Sequence, residues 1–222
     1  MCGIVGYIGN RDGADIVLAG LKALEYRGYD SAGVAVLNKK GEAHLLKQVG
    51  RVDGLEKLIN EEHDGDAPAA IGHTRWATHG APSVINAHPH ANTDKTIFVV
   101  HNGIIENYAE LKEWLITEGA QFVSDTDTEV MAHLIDHYYK QAKDFEEAFT
   151  KALKEVRGAY AILAMTIYEP GKLFAARLSS PMVIGVGKGE CIVASDPSAI
   201  LQHTKEVIYV QDNEMVVIEA GK

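Results

Sequence analysis

Met1-Cys2-Gly3-Ile4-Val5-Gly6-Tyr7-Ile8-Gly9-Asn10 opens the chain, and the reading of the other 212 residues turns on it. Residues 3–8 are β-branched, aromatic and glycine-rich, the composition of a buried strand. Their glycines leave room for another backbone or a ligand to come close. Cys2 stands at the head of that strand, directly behind the initiator methionine. Removal of Met1 would give one residue both a thiol and a free α-amine. The sulfur can then attack, and the amine, with an ordinary pKa of about 7.7–8.0, can take up the proton near neutral pH. Taken alone, Cys2 reads more readily as a small apolar residue starting an edge strand, and the rest of the chain reverses that weighting.

Working outward, residues 12–27 carry a helical stripe of Val17, Leu21 and Leu24, with Gly28 placed to cap its end. Strands are expected over 31–37 and 43–49, joined by a turn at 38–41. A short helix over 52–62 and a strand over 69–74 come next. Residues 75–92 show no period and hold Gly80, Pro82 and Pro89, and a loop of that length in a compact domain is usually functional or disordered. A strand at 97–101 runs into Asn102-Gly103, which alone would suggest a hairpin turn. Asn107 with Glu110 reads as a capping box, and Asp127 as the cap of a helix striped by Val130, Met131, Leu134 and Ile135. A further helix is marked by Phe145, Ala148, Phe149 and Leu153, and the last third is a series of short strands between turns. About ten strands and four or five helices result. Hairpins outnumber strand–helix–strand alternations, so antiparallel sheets with helices outside are expected.

Composition narrows the function classes. The chain is 46% hydrophobic and 23% charged, enough for a sizeable core. With a net charge of −10 and no Lys/Arg block, neither nucleic acid nor an anionic membrane is an expected partner. Two cysteines, Cys2 and Cys191, suit a reducing compartment, and no run nears the roughly 20 apolar residues of a membrane span. A single cytoplasmic domain over residues 1–222 is the expectation. Ten histidines raise the question of a metal, but no H-E-x-x-H or paired Cys/His spacing is present, so no metal site is expected.

Six motifs concentrate the chemistry: M-C-G-I-V-G-Y-I-G from Met1, L-E-Y-R-G-Y-D-S-A-G from Leu24, G-H-T-R-W-A-T-H-G from Gly72, N-A-H-P-H from Asn86, V-H-N-G-I-I-E-N-Y from Val100 and S-D-T-D-T-E-V from Ser124. Singly, each has an ordinary explanation: Arg27 as a helix-end cap, Arg75 as a surface ion pair, Asn102-Gly103 as a turn. In this order the set resembles the class II, N-terminal-nucleophile glutamine amidotransferases, and within them the glutaminase domain of the glucosamine-6-phosphate-forming branch. The resemblance implies an α+β fold, a four-layer αββα sandwich of two mainly antiparallel sheets. It implies Cys2 as nucleophile on the γ-amide of L-glutamine and its α-amine as proton shuttle. Asn102 and Gly103 would form the oxyanion hole, and Arg27 and Gly28 would orient Cys2. Glutamine would be held by Arg75 at its α-carboxylate and Asp127 at its α-ammonium, with Trp76, Thr78, His79, His88 and Gly103 completing the site. Trp76 would ride on a loop that closes over the substrate.

No cofactor is implied. The resemblance further implies a covalently linked sugar-phosphate isomerase region, absent from these 222 residues, and a homodimer at full length. Ammonia released here would then aminate fructose 6-phosphate. The alternatives are the glutaminase domain of another class II amidotransferase, or a non-catalytic regulatory module if Met1 is retained.

Overall fold

The computed structural model describes residues 2–76 and 80–220. Twelve strands and five α-helices are found among them. The strands are β1 (Gly3–Ile8), β2 (Ser31–Leu37), β3 (Ala43–Val49), β4 (Ala69–Arg75), β5 (His90–Ala91), β6 (Ile97–Ile105), β7 (Gly158–Thr166), β8 (Lys172–Leu178), β9 (Val183–Gly187), β10 (Glu190–Ala194), β11 (Val207–Tyr209) and β12 (Glu214–Glu219). The helices are α1 (Gly13–Leu24), α2 (Val52–Glu62), α3 (Tyr108–Thr117), α4 (Glu129–Ala142) and α5 (Phe145–Glu155).

One sheet has seven strands in the order β11-β9-β10-β1-β4-β2-β3, the other five in the order β12-β8-β7-β6-β5. All these pairings are antiparallel. Three apolar layers make the αββα sandwich. Val17, Leu21 and Leu24 of α1 with Leu55 and Ile59 of α2 pack on the outer face of the larger sheet. Ile4, Ile8, Ile71, Phe98, Val100 and Leu163 fill the space between the sheets. Phe145 and Phe149 of α5 and the α4 stripe cover the outer face of the smaller one.

Strand period decides which face each side chain takes. On β1, Ile4 and Ile8 point between the sheets while Val5 and Tyr7 point to α1. Cys2 shares the parity of Ile4, so it belongs to the inter-sheet face. On β4, Ile71 sets the same parity for His73 and Arg75; on β6, Phe98 and Val100 set it for Asn102. Three strands thus send polar groups to one end of an otherwise apolar interlayer.

Several local expectations give way to tertiary contacts. β1 is no edge strand, for it lies between β10 and β4. Asn102-Gly103 is no turn but part of β6, paired with Ala161 and Tyr160 of β7. Asn107 makes no side-chain cap on α3; it donates to the Glu155 carbonyl at 2.9 Å and accepts from the Arg157 N–H at 2.9 Å, tying α3 to the end of α5. Thr128, not Asp127, occupies the N-cap position of α4, and it forms no side-chain cap. Helix α1 stops at Leu24, and a 3₁₀ turn over Glu25–Arg27 follows. Gly28 ends that turn in extended backbone (φ 178°) rather than the left-handed cap conformation. Its reason is space: a Cβ there would stand 3.0 Å from the Trp76 backbone nitrogen.

Candidate active site

Cys2 sits where the ends of β4 and β6 converge. Its Sγ accepts the Trp76 backbone N–H at 3.2 Å and lies 3.6 Å from the Trp76 carbonyl. The approach of Gly28 to residues 75 and 76 helps fix that peptide. Burial pushes the Cys2 thiol above its ordinary pKa, and the opposing Trp76 N–H and Arg75 guanidinium do not reverse this. A thiol in that state attacks well only when a base removes its proton.

Asn102 faces Cys2 from the other sheet. Its Nδ2 donates to the Cys2 carbonyl at 3.1 Å, and its Oδ1 stands 3.0 Å from His73 Nε2. Gly103 follows in a left-handed conformation (φ 132°), and a Cβ there would come within bonding distance of the Ala159 carbonyl oxygen. Only glycine fits, and its exposed backbone borders the cavity beside Cys2.

That cavity, about 40 Å³, is lined by Cys2, Arg75, Trp76, His88, Asn102, Gly103 and Asp127 among others. Arg75 is buried, its Nη2 donating to the Gly80 carbonyl at 3.2 Å. Burial lowers its pKa from the ordinary value, with the charges of Cys2, Asp127 and Asp30 opposing. Asp127 is buried as well, and its Oδ2 accepts the Ile105 N–H at 2.8 Å. One fixed cation and one fixed carboxylate therefore share a small cavity with a thiol, which suits a zwitterionic amino acid. A second, more apolar cavity of about 240 Å³ meets the first at Cys2, Asn102 and Gly103 and is bounded by Arg27, Ile104, Ser180 and Pro181.

Of the residues expected from sequence, Cys2, Arg75, Trp76, His88, Asn102, Gly103 and Asp127 come together. Arg27 stands at the second cavity, its guanidinium bound to Asp196 at 2.6 Å. Gly28 serves through the close approach already described. Trp76 is half-exposed, its ring edge-on to Tyr29 at 5.9 Å. Thr78 and His79 lie outside the described residues.

Other groups were not assigned from sequence. The sequence expectation of an unbroken loop over 75–92 gives way to β4 running to Arg75 and to β5 at His90–Ala91; between them Asn86 donates to the Ala81 carbonyl at 3.1 Å and accepts the Asp125 N–H at 3.0 Å. Glu129 is buried beside the site. Burial raises its pKa, but His133, Ser124 and the Val123 N–H outweigh this and hold it at about 2. The Ser124 and Val123 contacts are hydrogen bonds of 2.6–2.9 Å; His133 Nε2, at 3.6 Å, is at ion-pair rather than hydrogen-bond distance. Both Asn86 and Glu129 fall inside the quoted motifs, which was the available signal. Asp196 lies in no motif and is found only through the fold.

His73, His88 and His101 line the buried side of the cavity, with His90 packed edge-on against His88 and the His73 and His88 rings stacked at 4.1 Å. Among the described residues, no group of three or more His, Cys, Asp or Glu side chains is placed to hold a metal ion. Nor is any helix among them long and apolar enough to cross a membrane. A separate cavity of about 180 Å³ between α3 and α4 is lined by Thr93, Glu118, His133, Asp136, His137 and Lys140 and shares no residue with the Cys2 cavity. Lys140 there pairs with Asp136 at 2.8 Å.

The sequence profile of a glutamine amidotransferase domain matches residues 73–202. The glutamine–fructose-6-phosphate aminotransferase (isomerizing) of Clostridium tetani is 53% identical over 219 residues, 98% of this chain and 35% of that protein. Its counterpart in Chlorobaculum tepidum is 52% identical over 222 residues, with 98% and 36% covered. The chain thus spans about a third of the length of these curated relatives. Among solved structures, the glutamine phosphoribosylpyrophosphate amidotransferase of B. subtilis superposes with a TM-score of 0.81 at 28% identity, covering 98% of this chain and 47% of that one. A class-II glutamine aminotransferase domain protein from Silicibacter pomeroyi shares the fold, with a TM-score of 0.69 at 16% identity over 99% of this chain and 95% of that one. By these matches and by its sandwich fold, the chain belongs to the glutamine amidotransferase domain family.

Proposed function

We propose that residues 1–222 form one glutaminase domain that hydrolyses L-glutamine to glutamate and ammonia, with Cys2 as nucleophile. The observation that carries this is the meeting of Cys2, Asn102, Arg75 and Asp127 around one cavity. Arg75 presents a planar fork to the α-carboxylate and Asp127 a carboxylate to the α-ammonium. Between them the γ-amide reaches Cys2.

With Met1 removed, the Cys2 α-amine takes the thiol proton as sulfur attacks the amide carbon. The carbonyl oxygen becomes an oxyanion. The Asn102 amide has one N–H engaged by the Cys2 carbonyl and a second N–H to offer, and the Gly103 backbone N–H supplies another donor. The amine returns the proton to the departing nitrogen, the C–N bond breaks and ammonia leaves. A γ-glutamyl thioester remains, and water hydrolyses it to glutamate and free thiol. His88 and Trp76 bound the substrate. Arg27, held by Asp196, and Gly28 keep the Cys2 segment in place.

In a longer protein like the relatives, the ammonia would aminate fructose 6-phosphate in a linked sugar-phosphate isomerase region, and the whole would be a cytoplasmic homodimer. The test is glutaminase assay of the purified chain and its Cys2→Ala variant, with fructose 6-phosphate present and absent. Glutamate release by the parent, none by the variant, and no glucosamine 6-phosphate from either are expected. Full activity in Cys2→Ala would remove the nucleophile assignment.

A further inference from the structure

A primary amide can donate to an oxyanion only if its nitrogen, not its oxygen, faces the substrate. Asn102 is nearly symmetric in shape, so something must choose between its two orientations. Two anchors on opposite sides make that choice. On one side is the Cys2 carbonyl, an acceptor only, 3.1 Å from Nδ2. On the other is His73. Its Nε2 lies 3.1 Å from the His101 carbonyl and 3.0 Å from Asn102 Oδ1. A carbonyl cannot donate, so Nε2 must carry the proton, and a protonated Nε2 must face an oxygen. The two anchors impose the same orientation independently of each other.

The ring has little freedom to do otherwise. His73 is in the middle of β4, opposite both Ile4 of β1 and Gly33 of β2, and its ring is stacked on His88. It is fully buried, and its Nδ1 has no hydrogen-bond partner. Burial holds its pKa at about 3, so the ring is neutral and keeps one proton at neutral pH. His73 lines the cavity, and its Nε2 is engaged by Asn102 and the His101 carbonyl, whereas the Cys2 sulfur bonds to the Trp76 backbone.

We propose that His73 is a positioning residue for the oxyanion site: its Nε2–H, shared between the His101 carbonyl and Asn102 Oδ1, fixes the Asn102 amide with its NH₂ toward Cys2. This rests on the reading of Asn102 as an oxyanion donor. His73 itself touches no reacting atom. It acts by excluding the flipped amide, in which an oxygen would face the developing negative charge.

The test is a double-mutant cycle on the whole chain, with kcat and KM for glutamine measured in each of the four proteins. His73→Phe keeps a ring for the stack and removes the donor; Asn102→Ala removes the group acted on. Asn102→Ala should lower kcat by about 10²–10³-fold. His73→Phe should lower kcat by about 10-fold or more, within that ceiling, with KM little changed. In the Asn102→Ala background it should have no further effect on kcat, because no amide is left to orient. His73→Gln, which can again donate, should recover part of the loss.

Equal fold-losses from His73→Phe in both backgrounds would show a merely structural role and overturn the proposal. Wild-type kcat in Asn102→Ala would instead remove the oxyanion reading and the proposal with it. Should His73→Phe not fold, the ring tautomer in the unsubstituted chain decides by ¹⁵N NMR: a proton on Nε2 is expected, and a proton on Nδ1 refutes the assignment.

Discussion

Asp127 offers a substitution pair that separates binding from folding. Its Oδ2 accepts the buried Ile105 N–H at 2.8 Å, and its carboxylate faces the cavity it shares with Arg75. Asp127→Asn removes the charge but keeps an oxygen for Ile105. Asp127→Ala removes both. A hydrogen bond to a charged group is worth about 1.5–3 kcal/mol, so loss of the α-ammonium contact should lower kcat/KM by roughly 10- to 150-fold in either variant. Most of that should appear in KM, since a contact equally strong in the ground state and the transition state is uniform binding, and a matching loss of kcat would show that the contact aligns the amide. Stability should divide them. Alanine leaves the Ile105 N–H unsatisfied, costing about 1–3 kcal/mol, whereas asparagine should lose little. For a chain of this size that is a Tm drop of roughly 2–12 °C in the alanine variant alone. Steady-state glutaminase kinetics and a melting curve on each protein measure both quantities. Wild-type kcat/KM in Asp127→Asn would refute the ammonium contact, and an unchanged Tm in Asp127→Ala would refute the structural role of the Ile105 bond.

Two further outcomes follow from the site. Protein whose intact mass includes Met1 should be inactive toward glutamine, because the Cys2 nitrogen is then an amide without a lone pair to accept a proton; normal turnover by such protein would mean that another group is the base. Stability should also fall on acidification below about pH 6.5. His73, His88, His90 and His101 all have pKa values lowered chiefly by burial, so they stay neutral in the fold while the unfolded chain takes up protons. Each contributes fully above the unfolded value of about 6.5 and loses about 1.4 kcal/mol per pH unit below it, until its own folded pKa is passed, near 3 for His73. Urea midpoints at about pH 7.5 and 5.5 measure this, and equal midpoints would contradict it.

How far the sequence reveals the site depends on the range of the interactions concerned. The strands over residues 3–8 and 69–74 are legible from their apolar, β-branched composition, but both are buried on each face, so the side that carries Cys2, His73 and Arg75 is decided by how the two sheets stack. The helical stripes of α1 and α4 are legible because their apolar residues recur at the helical period. The failures share a cause. Asn107, Asp127 and the Asn102-Gly103 pair each carry a side chain or backbone suited to a local cap or turn. Each finds a distant partner instead: Glu155 and Arg157, Ile105, and β7. A cap competes with any buried donor or acceptor the fold brings near, and sequence spacing records only the local competitor. Resemblance to a family supplied the roles proposed for Arg75 and Asp127, which spacing alone left open. It assigned none to His73, whose partners are a main-chain oxygen and a neighbour's amide.

The position of β1 bears on when the domain becomes competent during synthesis. The strand that follows Cys2 is among the first segments made, yet one of its two neighbours is β10, with Val5 opposite Ala194. The join extends past the strand: the Ile4 N–H donates to Ser195 Oγ at 3.0 Å, and the Ser195 N–H to the Ile4 carbonyl at 3.0 Å. Arg27 waits for Asp196 in the same stretch. A ribosome that has released only the first 180 residues has made every side chain of the first cavity, but β1 still has an open edge and Arg27 lacks its anion. Contacts of such long sequence separation close late and slowly. A chain stopped short of β10 is therefore expected to carry every residue of the first cavity without the frame that aligns it, so Cys2 is held in register only once residues 190–196 have emerged.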